Sequence, residues 1–100
     1  NRNSFRKEWL LRTYQLIVSG RVQRVNYRLY VVEMAQALGY VGYVKNLLNG
    51  DVEVVVNTDY EEDLEFFISK LYDGSLFSHV ENIVCHPIDF IAFNSFTKKG

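Results

Sequence analysis

The sequence predicts an α+β fold in the order strand, helix, hairpin, helix, strand, and three observations carry that expectation. Apolar residues alternate at period two over residues 12–19. They recur at three- and four-residue spacing over 27–38 and again over 64–71, and two short apolar runs flank Asn49-Gly50. Period two marks a half-buried strand and a period near 3.6 an amphipathic helix, so the changes of period give the element order.

Residues 1–11 (NRNSFRKEWLL) lack clear periodicity and are expected to form a loosely ordered lead-in, docked by Trp9, ahead of one domain over 12–100. In the first strand Tyr14, Leu16 and Val18 share a face, with Ile17 the one apolar residue opposite. The first helix carries Tyr27, Tyr30, Val31, Met34, Ala35 and Leu38 on its apolar side, with Asn26 placed as N-cap and Gly39 as terminator. Strands over 43–48 and 51–57 should meet through a type I′ turn at Asn49-Gly50, and Val52, Val54 and Val56 share a face of the second. Thr58-Asp59-Tyr60-Glu61 has capping-box spacing ahead of a helix with Leu64, Phe67, Ile68 and Leu71 as its stripe, and Gly74 stops it. A fourth strand is expected over 79–88, with Pro87 at an end or edge, and a short last strand over 93–97. This order is that of a ferredoxin-like βαββαβ sandwich, an antiparallel sheet with two helices on one face and a short extra C-terminal edge strand. Such a fold serves enzymes, metal carriers and RNA binders alike, so function must be read from the site.

Composition narrows the classes. The lone Cys85 excludes an internal disulfide framework and a multi-cysteine metal site, which suits a reducing compartment. No apolar stretch approaches the roughly 18 residues of a membrane span. A cytoplasmic protein without a membrane partner is therefore expected, monomeric by default. Charge is unevenly divided: residues 1–50 hold eight Lys/Arg and two acids, and residues 51–100 hold three Lys/Arg and ten acids, for a net −1. A pI near 6.1 and the absence of a paired Lys/Arg-Gly-aromatic sheet motif argue against a nucleic-acid partner.

The chemistry concentrates in Gly20-Arg21-Val22-Gln23-Arg24-Val25-Asn26-Tyr27-Arg28, a basic loop between the first strand and first helix. The first N–H groups of a helix lack backbone partners and its dipole favours negative charge, so this junction reads as an anion site in which Arg21, Arg24 and Arg28 meet no acid before Glu33. Taken alone, the three arginines are equally readable as solvated loop charges.

The loop resembles the signature of the acylphosphatases, Gly-x-Val-Gln-Gly-Val-x-aromatic-Arg. Downstream, Ala35-Gln36-Ala37-Leu38-Gly39-Tyr40-Val41-Gly42-Tyr43-Val44-Lys45-Asn46 resembles that family's Ala-x-x-Leu-Gly-x-x-Gly-aromatic-Val-x-Asn, followed by Gly50 and Val52. The resemblance implies hydrolysis of a small-molecule acyl phosphate to a carboxylate and inorganic phosphate, with no metal or cofactor. Arg28 would grip the phosphoryl oxygens, Asn46 would position the attacking water, and the loop N–H groups of Gln23, Arg24, Val25, Asn26, Tyr27 and Arg28 would complete the phosphate site. Arg24 stands where the family motif has glycine, so the loop either keeps its cradle under strain or has changed shape. The rival reading is a noncatalytic anion- or phosphate-binding module with a loop altered by Arg24.

Other residues read more plainly. His79 and His86 are separated by an odd interval along a strand, which predicts opposite faces and no shared metal. Cys85 reads as a small core residue, Glu61, Glu62, Asp63 and Glu65 as a solvated helix start, and Lys45 as a cross-strand charge partner for Asp51 or Glu53. The run 52–56 reads as an ordinary core strand, or as an aggregation segment were the sheet to open.

Overall fold

The computed structural model describes residues 11–100, and the expected lead-in, with Trp9, lies outside them apart from Leu11. The elements are β1 (Arg12–Arg21), α1 (Tyr27–Leu38), β2 (Val41–Asn46), β3 (Val52–Thr58), α2 (Glu61–Asp73), β4 (His79–Ile88) and β5 (Phe96–Lys99). They form a five-stranded sheet in the order β4-β1-β3-β2-β5. The first four strands pair antiparallel, whereas β5 joins β2 in parallel, so the sheet is mixed. This is the ferredoxin-like α+β arrangement expected, with its extra strand at an edge.

The core lies between the helices and one face of the sheet. Leu16 and Val18 of β1, Val44 of β2, and Val52, Val54 and Val56 of β3 meet Val31 and Ala35 of α1 and Phe67 and Leu71 of α2. β3 is an interior strand paired on both sides, so its valines read as core and offer no free edge. Three tyrosine hydroxyls fasten the helical layer. Tyr27 and Tyr30 of α1 donate to the carbonyls of Leu71 and Lys70 at 2.7 and 2.6 Å, and Tyr40 donates to that of Asp63 at 2.9 Å. Two of these acceptors lie in the last turn of α2, where the Lys70 carbonyl also accepts from the Gly74 N–H at 3.4 Å.

Several local expectations are corrected. The hairpin is not a type I′ turn: of the pair only Gly50 has positive φ, its N–H reaches the Leu47 carbonyl at 3.2 Å, and Leu47 N–H meets the Asp51 carbonyl at 2.8 Å. The loop is therefore three residues, a β-turn followed by a left-handed glycine, which ends β2 two residues earlier than the turn dipeptide alone suggested. The capping box before α2 does not form; Tyr60 is the N-cap and makes no side-chain cap bond. Asn26 holds the N-cap position of α1 in a left-handed conformation (φ 61°), also without a side-chain bond. Glu53 lies across from Lys45 but accepts hydrogen bonds from Gln15 Nε2 at 2.7 Å and the Tyr43 hydroxyl at 3.0 Å, so the carboxylate is engaged elsewhere. A register shift between Ser19 and Gly20 leaves Glu81 as an extra residue in β4. His79 and His86 thus pair with Arg21 and Gln15, which share a parity on β1, so the bulge puts both on one face. Their separation along the strand is about 20 Å, too far for one ion.

Gly42 is fixed by the close approach of β2 to β3. With φ 150°, a Cβ there would collide with the Val55 carbonyl oxygen of the paired strand. Gly42→Ala is expected to cost about 3 kcal/mol of stability by strain and strand displacement. Urea unfolding measures this, and a loss below about 1 kcal/mol would contradict the contact.

Candidate active site

β1, β2 and β5 run in the same direction, and their C-terminal ends meet the start of α1. A cleft of about 130 Å³ opens there, lined by Val22, Arg24, Asn26, Tyr27, Arg28, Leu29, Asn46 and Lys98. Arg28 and Asn46, which lie 18 positions apart in sequence, thus share one concavity.

The loop holds Arg24 in a strained backbone conformation. Arg24 has φ 63° and Asn26 φ 61°, the two non-glycine residues with positive φ among those described. Left-handed residues alternating with right-handed ones turn successive N–H groups toward one point, a concavity suited to an anion. Tyr27, Arg28 and Leu29 are the first residues of α1, so their N–H groups have no intrahelical acceptor. Asn tolerates this backbone; Arg does so at a cost of about 1 kcal/mol or more.

Of the six loop residues expected to bind phosphate, Arg24, Asn26, Tyr27 and Arg28 line the cleft, and Gln23 and Val25 do not. The Gln23 amide donates to the carbonyls of Leu47 and Asp51, both at 2.8 Å, and so fastens the loop to the β2–β3 hairpin. Val25 is held by its carbonyl, which accepts from Ser75 Oγ at 2.8 Å. The Tyr27 ring is buried, and burial pushes its hydroxyl well above the usual phenol range, so it stays neutral on the Leu71 carbonyl. It supports the loop and is no acid or base at neutral pH.

Arg28 is anchored from β5: Nη1 donates to the Lys99 carbonyl at 2.9 Å, which orients the fork and leaves its other N–H groups free for a ligand. Asn46 ends β2, and its Oδ1 is buried without a hydrogen-bond partner. A buried acceptor left unpaired costs about 1–3 kcal/mol, and Oδ1 has no partner among the described residues. Lys98 was not singled out by sequence. Parallel pairing with Val44 puts it on the same face as Asn46, whereas Lys99 turns to the other face, with Nζ 4.2 Å from the Tyr43 ring centroid. The cue was two lysines after the last apolar residue of β5, a pattern indistinguishable from a solvated tail until the register is known.

Among the described residues no imidazole or carboxylate lines the cleft. Among the described residues no group of three or more His, Cys, Asp or Glu is placed to hold a metal ion, and no helix is long and apolar enough to cross a membrane. Cys85 is half-buried against the core, and burial raises its thiol pKa, which disfavours the thiolate.

The fold and cleft define a small α+β domain with a cationic cleft between a strand-to-helix loop and a neighbouring strand end. The acylphosphatase family model matches residues 14–97. An acylphosphatase of Lactococcus lactis is 37% identical over 92 residues, covering 85% of this chain and 95% of its own. One of Thermus thermophilus is 42% identical over 67 residues, covering 67% and 75%. The crystal structure of acylphosphatase from Bacillus subtilis superposes with a TM-score of 0.82 at 32% identity, covering 91% of this chain and all of that one. The chain belongs to the acylphosphatase family of hydrolases.

Arg24→Gly should relieve the left-handed strain and stabilise the protein by about 1 kcal/mol. For a chain of this size that raises Tm by about 4–8 °C in a thermal melt. A lowered Tm would mean that the Arg24 side chain contributes more than its backbone costs.

Proposed function

We propose that this protein hydrolyses the carboxyl–phosphate bond of acyl phosphates, with Arg28 binding the phosphoryl group and Asn46 positioning the attacking water. The observation that carries this reading is the unpartnered Asn46 Oδ1, buried beside the cleft that Arg28 also lines. Phosphate would sit against the N–H groups at the start of α1, with the Arg28 fork, held by β5, on its equatorial oxygens. Asn46 Oδ1 would accept a hydrogen bond from a water and aim its oxygen at phosphorus.

The water oxygen forms the new P–O bond, the bond to the acyl oxygen breaks, and the carboxylate leaves with the electron pair. The water's proton is carried away on the phosphate product, since the cleft holds no side-chain base. A carboxylate is a good leaving group, so positioning and charge stabilisation suffice, and neither needs a cofactor.

Hydrolysis of benzoyl phosphate, followed by absorbance in the absence of added metal, tests the reading. Arg28→Ala and Asn46→Ala should each lower kcat/KM by roughly two to three orders of magnitude in protein that remains folded by circular dichroism. An Arg28→Ala protein as active as the parent would end the assignment. Phosphate binding without turnover in the parent would establish the noncatalytic alternative.

The pH profile is a second check. With no imidazole in the cleft, kcat/KM should stay within about twofold from pH 6 to pH 8. An enzyme-derived limb near pH 6.5 would contradict this catalytic set.

A further inference from the structure

The cleft carries more positive charge than the reaction in question requires. Arg24, Arg28 and Lys98 line it together, and no acidic residue does. The one ion pair among the described residues joins Lys70 to Asp73, so none of the three has a carboxylate within 4.0 Å there. A fully ionised phosphoryl group brings two negative charges, and Arg28 with the helix-start N–H groups already addresses them. That leaves two cationic side chains, Arg24 and Lys98, without an anionic partner among the described residues. Both residues beyond Arg28 are exposed, one on the loop and one on β5, and both line the cleft.

The backbone at Arg24 adds an independent observation. A residue held in a sparsely populated conformation at a ligand site points to a functional use of its side chain. Arg24 keeps φ 63° where glycine would carry no Cβ penalty, and its side chain lines the cleft. Lys98 reaches the same cleft from a different element, through the parallel register of β5 with β2.

We propose that Arg24 and Lys98 form a second anion subsite that selects acyl phosphates whose acyl group itself bears a carboxylate. This inference rests on the acylphosphatase reading and deepens it. The Arg24 guanidinium fork suits two carboxylate oxygens, and the Lys98 ammonium supplies a further donor to them. A neutral acyl group would leave the two side chains solvated and unused.

The test compares benzoyl phosphate with 4-carboxybenzoyl phosphate, which differ only by that carboxylate. The ratio of their kcat/KM values, corrected for spontaneous hydrolysis, is the readout. The parent should favour the carboxylated substrate by about tenfold, and salt should reduce the preference because both cations are exposed. Lys98→Gln and Arg24→Gly should each bring the ratio to about threefold or below, and Lys98→Arg should keep it near the parent value. A parent ratio at or below one, or a ratio unchanged in both variants, overturns the proposal while turnover of benzoyl phosphate leaves the acylphosphatase reading intact. Failure of folded parent protein to hydrolyse either substrate overturns both.

Discussion

Two antiparallel registers govern everything at the site. β3 pairs with β1 on one side and β2 on the other, so β1 and β2 run in the same direction and end at the same edge of the sheet. The buried valines of β3 hold those registers, because a slip of one residue would turn Val52, Val54 and Val56 away from the helices. From that constraint the geometry follows. The loop after β1 and the last residue of β2 must lie side by side, which places the Arg28 helix start next to Asn46. The parallel docking of β5 on β2 then adds Lys98 to the same end.

The site is stiffened from outside by polar contacts that touch no ligand. Gln23 ties the loop to the hairpin, Ser75 holds Val25, and Tyr27 reaches across the core to α2. Each acceptor is a backbone carbonyl in a loop or in a last helical turn. Gln36 of α1 also donates to the Phe96 carbonyl at 3.0 Å, so β5 is fastened to the helical layer as well as to β2. Arg28 thus rests on a strand secured from two directions, and its guanidinium loses less freedom when it meets an anion.

Much of this was legible in the sequence wherever periodicity and a local motif agreed. α1 and β4 fall within the residues their patterns mark, and Arg28 and Asn46 stand on motifs whose ordered spacing matches the family. Legibility ended where tertiary geometry competes with local rules. Asn49-Gly50 favours a two-residue turn, but the β2–β3 register needed three residues. The histidine faces could not be read because a bulge at Glu81 changes parity without any sequence mark. The structural use of the Gln23 side chain was not legible, because its amide donates to carbonyls more than 20 positions away. Lys98 is invisible to sequence because its role depends on a parallel pairing that no local pattern encodes.

The bond from Arg28 to the Lys99 carbonyl spans 71 positions of sequence. That bond closes only when β5 is docked beside β2, because its acceptor belongs to β5. A partly folded molecule with β1 to β4 in place would already hold Arg28 and Asn46 at the same end of the sheet, but with the guanidinium swinging free and Lys98 not yet delivered. Competence therefore arrives with the docking of the last strand, and regain of enzymatic activity during refolding should report that final closure more faithfully than any signal from the core.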